Sequence, residues 1–274
     1  MSVAELHAIC RRVRTLLIEE IGSLGVGHLG GSLSIVEALV CLYYGGHLTA
    51  DPHQPRLLGR DRFILSKGHA GPALYAVLAD RGYFPLDWLH TLNQPHTNLP
   101  SHPDMHKTPG VEMTTGSLGQ GFSAALGAAC AARLKQDGAT IFTLIGDGES
   151  QEGQIWEAAL YASQIRAGNL IAFTDYNGLT IDGTTDEINS LEPLDDKWRA
   201  FGWHTAAVDG HDILAIDEAL VEARLRTEQP SMIILATRKG KGVSFIEAAG
   251  CASHNMPISD AQVRAAIDEL DPNA

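Results

Sequence analysis

The chain has 274 residues, 45% of them hydrophobic and 19% charged, which suits one large α/β core and argues against disorder. A net charge of −13 argues against nucleic acids and anionic membranes, which recruit basic surfaces. It leaves room for a phosphorylated ligand held by backbone N–H groups and a metal.

In chain order, the N-terminal stretch MSVAELHAICRRVRTLLIEEIG carries acids early and lacks an uncharged apolar core with a cleavage site. It reads as an amphipathic helix over residues 3–22, not a signal peptide. Further helical periodicity covers 31–45 and 70–82, with a short apolar strand at Arg62–Leu65 between them. Residues 83–112 are rich in Pro, His and Asn with little periodicity, and so long a loop is expected to be functional. A helix follows over 117–135; its apolar run near 122–132 is too short to span a bilayer. Strands at Thr140–Ile145, Leu170–Thr174, Thr205–Val208 and Met232–Thr237 then alternate with helices over 152–167 and 212–227, and a last helix covers 259–270. That alternation predicts βαβ units: an α/β fold of three layers, a mainly parallel sheet with helices on both faces. No repeat or linker interrupts it, so residues 1–274 are expected to form a single domain. The four cysteines are scattered without a CxxC pair, so they are expected to be reduced thiols in a cytoplasmic protein.

The sharpest chemical signal is Gly146-Asp147-Gly148 after the strand TIFTLI, with Asn177 following the strand LIAFTDY. Both lie at the carboxyl ends of expected parallel strands, where open α/β sheets bind ligands. The glycines let backbone approach an anion, and the next helix offers free N–H groups. Asp147, Asn177 and a nearby carbonyl would form an oxygen set suited to Mg²⁺ completed by phosphate oxygens and water. Alone, GDG reads equally as a turn; Asn177 at this spacing, with a strand before each motif, weighs against that.

GDGESQEGQIWEA and TDYNGLTIDG, with SLGVGHLGGSLS, LSKGHAGPALYA, LPSHPDMHKTPGVEMTTGSLGQGFSAALG and KGKGVSFIEAAGCASHN, resemble motifs of the transketolases, in the same order and over nearly the whole chain. The resemblance implies a thiamine-diphosphate-binding fold and transfer of a two-carbon ketol unit from a ketose or its phosphate to an aldose or its phosphate. It implies that Asp147, Asn177 and the backbone oxygen of Leu179 hold Mg²⁺. The cofactor would meet Gly146, Gly148, His69, Lys239 and His254 at its diphosphate, and Gly116, Leu118 and Ile181 at its rings. His28, His69 and His102 would orient substrate and shuttle protons, with His254 also at the donor oxygen; imidazole suits proton transfer near neutral pH. The remaining histidines have no motif around them.

In this family the glutamate that activates the cofactor and the phosphate-gripping arginines belong to later domains, whereas this sequence stops near the end of the family's first domain. A second chain carrying the pyrimidine-binding and C-terminal domains is therefore expected, in a hetero-oligomer with two of each. Glu152 and Glu157 match acids that connect to that glutamate, although either could simply favour a helix N-terminus. Three departures from the family pattern stand out: Leu29 and Ser117 replace prolines, and Ser253-His254-Asn255 replaces Trp-His-Gly. The last points to an altered wall beside the donor and an unusual substrate. Alternatives are an enzyme component related to deoxyxylulose-phosphate synthase or a 2-oxo acid dehydrogenase, and a non-catalytic cofactor-binding domain. A nicotinamide site at GSLGQG lacks the strand it would need immediately before it.

Overall fold

A computed structural model describes residues 1–55 and 57–271; the last three positions of the expected 1–274 domain lie outside them. In chain order the elements are α1 (Val3–Leu24), β1 (Val26–Gly27), α2 (Leu29–Leu33), α3 (Val36–Tyr44), β2 (Arg62–Leu65) and α4 (Gly71–Asp80). Next come α5 (Gln120–Lys135), β3 (Ile141–Gly146), α6 (Gly153–Gln164), β4 (Leu170–Tyr176), α7 (Thr185–Asn189) and α8 (Leu194–Ala200). The rest are β5 (His204–Asp209), α9 (Ile213–Arg224), β6 (Ser231–Ala236), α10 (Ser244–Ala248), β7 (Met256–Pro257) and α11 (Asp260–Leu270).

Five strands form one wholly parallel sheet in the order β2-β3-β4-β6-β5. Side chains alternate across it, as strand geometry requires. Phe142, Leu144, Ile171, Phe173, Ile233 and Leu235 pack against α1, α3, α4 and α9. Ile141, Ile145, Leu170, Ala172, Met232 and Ile234 pack against α5, α6 and α8. Both faces are covered, which is why β3 and β4 are apolar runs. The expected three-layer α/β/α architecture is the one observed.

Differences from the sequence expectation have local causes. The helix expected over 31–45 is broken at Ser34–Ile35, where Ser34 Oγ donates to Asp175 Oδ2 at 2.7 Å. The helix expected from 117 begins at Gln120, because Gly119 takes a left-handed conformation (φ 82°) as its N-cap. Helices α7, α8 and α10 are five to seven residues long, too short to leave a periodic signal. The 83–112 loop holds one 3₁₀ segment, Leu86–Thr91.

Candidate active site

Four adjacent strands of the sheet end on one cavity of about 420 Å³. After β2 come Lys67 and His69; after β3, Asp147, Gly148 and Glu149; at and after β4, Asp175, Asn177 and Leu179; after β6, Lys239. His28, His102, Gly116, Leu118, Gly146, Ile181 and His254 complete its expected lining. Glu152 and Glu157 do not line it; both are exposed, on the outer side of α6.

Asp147 is the hub of the polar end. Its Oδ1 accepts from Gly148 N at 2.8 Å, and its Oδ2 accepts from Asn177 N at 2.9 Å and Gly178 N at 2.6 Å. One carboxylate thereby ties the GDG turn to the Asn177 turn. Burial and the nearby Asp175 carboxylate raise its pKa to about 6. Asn177 Nδ2 donates to Asp175 Oδ2 at 3.1 Å, fixing which end of its amide is the oxygen. Among the described residues there is no cluster of three or more His, Cys, Asp or Glu placed to hold a metal. The available set is one carboxylate, the Asn177 amide oxygen and the Leu179 carbonyl: hard oxygens that fit Mg²⁺ completed by phosphate and water. A buried carboxylate raised by desolvation and like charge is also where an added cation gains most.

Beneath this set lies an ion pair that the sequence did not single out. Lys67 Nζ donates to Asp175 Oδ2 at 2.5 Å and to Gly31 O at 2.7 Å. Asp175 also accepts from the hydroxyls of Ser34 and Thr237. Burial opposes the charge of Asp175, but Lys67 and these donors outweigh it and hold its pKa down. The available signal was an acid at the end of an apolar strand and a lysine within SKGHA. Glu149 was also missed: its carboxylate accepts from Ser66 Oγ at 2.5 Å, Gly119 N at 2.8 Å and Gly146 N at 3.1 Å.

Lys239 is almost wholly buried. Its Nζ donates to Thr180 O at 3.2 Å and, marginally, to Leu179 O at 3.5 Å. Burial, then repulsion from Lys67, lowers its pKa. Gly240 N donates to Gly30 O at 2.9 Å, tying the Gly-Lys-Gly segment to α2, whose N-cap is His28.

The same cavity holds a cluster of imidazoles. Ring centroids of His28 lie 5.6, 5.9 and 5.3 Å from those of His69, His102 and His254, and His69 and His254 are 4.8 Å apart. Burial lowers all four pKa values, with neighbouring cations and imidazoles adding to the effect at His28, His69 and His254. His28 and His254 fall to about 4, so both are neutral near pH 7. Two glycines make the close packing possible. A Cβ on Gly68 would lie 2.8 Å from Gly116 N, and Gly116 (φ 155°) would place one 3.1 Å from the His102 ring.

The candidate oxygen donors for Mg²⁺ and the four imidazoles thus line one cavity. The family model for the transketolase thiamine diphosphate binding domain matches residues 6–273. The chain belongs to this family. It is a thiamine diphosphate-binding transketolase domain. Over 259 residues it is 58% identical to the 6-deoxy-6-sulfo-D-fructose transketolase subunit SqwG of Clostridium sp. (strain MSTE9), covering 94% of each chain. It is 41% identical to one of the subunits of apulose-4-phosphate transketolase from Actinobacillus succinogenes, covering 98% of this chain and 97% of that one. Among solved structures, transketolase from Campylobacter jejuni superposes with a TM-score of 0.91 at 31% identity, over 100% of this chain and 44% of that one. The transketolase domain thus spans less than half the length of that solved enzyme and nearly all of the two named subunits.

Proposed function

We propose that residues 1–274 form one thiamine diphosphate-binding domain and act as the N-terminal subunit of a two-chain transketolase. It would transfer a two-carbon ketol unit from a ketose or its phosphate to an aldose or its phosphate. The observation that carries this reading is one cavity shared by the Asp147–Asn177–Leu179 oxygen set and four imidazoles that hydrogen-bond no other described residue. A domain that only held the cofactor would have no use for His28 and His102, which this reading assigns to the substrate.

When bound, thiamine diphosphate supplies the nucleophilic carbon and the electron sink for the transfer. Asp147, Asn177 Oδ1 and Leu179 O would hold Mg²⁺. Gly146, Gly148, His69, Lys239 and His254 would face the diphosphate, and Gly116, Leu118 and Ile181 the rings. The Lys239 ammonium, held only by carbonyls, suits a diphosphate oxygen as partner. His28, His69 and His102 would orient sugar hydroxyls and pass protons, a role that calls for neutral rings able to accept as well as donate. His254 would reach the donor oxygen.

The remaining groups are assigned to a second chain carrying the pyrimidine-binding and C-terminal domains, in a heterotetramer. Glu157, Leu160 and Tyr161 share an exposed face of α6, and Leu160 and Tyr161 are 62% and 55% exposed. Ile181 and Ile188, also exposed, line the cavity mouth. Apolar exposure of this kind suits a protein partner, and Glu152 and Glu157, both exposed, would be open to a second chain. The name of the Clostridium relative makes a sulfonated ketose a donor to assay first. No described helix is long and apolar enough to cross a membrane; with four unpaired cysteines, a cytoplasmic location is proposed.

Titration of the chain with thiamine diphosphate and Mg²⁺, followed by calorimetry, tests the site. Asp147→Ala should weaken cofactor binding by about 100-fold, the order of loss seen when a metal site loses a key partner. Unchanged affinity in that variant would overturn the assignment.

A further inference from the structure

A second, smaller pocket of about 120 Å³ adjoins the main cavity, with His28 lining both. Its floor and sides are Leu24, Pro72 and Leu92, and its polar groups are Asn93, Ser101 and Asn255. Two of these flank the histidine cluster in sequence: Ser101 precedes His102 and Asn255 follows His254. The fold delivers Asn255 there through a two-stranded ribbon, β1 pairing antiparallel with β7 in the register Gly27↔Met256, which sets Asn255 opposite His28. Asn93 arrives by a different device. It is a non-glycine residue with φ 55°, held by its N–H donating to Leu99 O at 2.8 Å. None of the three side chains hydrogen-bonds another described residue. Apart from His28, whose ring is neutral near pH 7, the lining holds no titratable side chain.

We propose that this pocket is the subsite for the uncharged polyol tail of the sugar substrate, read by Asn93, Ser101 and Asn255. The proposal rests on the ketol-transfer reading above and names the part of the substrate that this chain selects. Carboxamides and a hydroxyl both donate and accept, as sugar hydroxyls do, and the apolar floor suits the carbon chain between them. A volume of 120 Å³ is about that of four waters, enough for one or two hydroxyl-bearing carbons. The lining offers a phosphate or sulfonate no counter-charge. The acidic end of an ionic substrate must then lie elsewhere, and the tail length and hydroxyl pattern are what this pocket reads.

The test uses the complex of this chain with its partner, saturated with thiamine diphosphate, Mg²⁺ and donor. Initial rates are compared for a five-carbon aldose phosphate and for glycolaldehyde, an acceptor with no polyol tail. In Asn255→Ala and Ser101→Ala, the ratio of kcat/KM for the long acceptor over the short one should fall about tenfold, the effect of one lost hydrogen bond to substrate. An unchanged ratio in both variants would overturn the subsite. So would equal losses on both acceptors with a parallel loss of cofactor affinity, which would make these residues structural. Absence of ketol transfer by the unaltered complex would overturn the parent reading, and the subsite with it.

Discussion

At the scale of single residues, the site stands on a buried ion pair. Lys67 and Asp175 are about 2% and 0% exposed and 2.5 Å apart. Removing one partner of such a pair strands a buried charge, which costs about 3–5 kcal/mol. Lys67→Met should therefore lower unfolding free energy by about 4 kcal/mol in denaturant titrations, and adding Asp175→Asn should restore much of the loss. The histidines make a second prediction. His28 and His254, at about 4 when folded, sit below the ordinary 6.5, so the unfolded chain binds more protons between those values. Their contribution to stability is complete above pH 6.5 and is lost as pH falls toward 4. Asp147, raised to about 6, slopes the opposite way and is common to both chains compared. His28→Gln combined with His254→Gln should flatten the fall in Tm between pH 6.5 and 4; an unchanged slope would contradict the depressed values. Asp147 and Asn177 were legible because motif residues at strand ends carry chemistry in an α/β sheet, whereas the four histidines were legible only through the transketolase resemblance. Lys67, Asp175 and Glu149 were not, because a pairing across 108 residues leaves no local pattern.

At the scale of elements, three loops are locked together by one carboxylate. Glu149 gathers the end of β2 through Ser66, the start of α5 through Gly119 and the end of β3 through Gly146. Burial raises its pKa despite these donors. Glu149→Ala would leave two buried N–H groups and a hydroxyl unpaired and should destabilise the chain by about 3 kcal/mol in chemical denaturation. The same variant should loosen thiamine diphosphate binding, since Gly116 and Leu118 lie on the released loop. Long elements were readable from periodicity alone, and β2 through β6 lie within a residue or two of their expected bounds. The break at Ser34–Ile35 was not readable, because its cause is a hydroxyl turned toward Asp175 rather than a weak helix former.

At the scale of the whole molecule, a doubly covered parallel sheet was legible because buried strands and amphipathic helices alternate in sequence. The proposed interaction face was not: Leu160 and Tyr161 lie in a helix whose periodicity says only that one side is buried, and nothing local distinguishes solvent from partner. Leu160→Lys with Tyr161→Lys should weaken assembly with the second chain about 30-fold or more, the loss expected for an interface anchor, as read by sedimentation. The melting temperature of the isolated chain should stay within a degree or two, since both side chains are already exposed.

As proposed above, this chain carries the cofactor cradle and the histidine cluster yet needs a second chain to catalyse. The measurement that reaches this proposal most directly is ketol transfer from a ketose phosphate or sulfonate to an aldose phosphate, with thiamine diphosphate and Mg²⁺ present. It is made on the chain alone and on the chain mixed with a C-terminal transketolase subunit. Turnover is expected in the mixture and from neither chain alone; turnover by this chain alone would show that no second chain is needed.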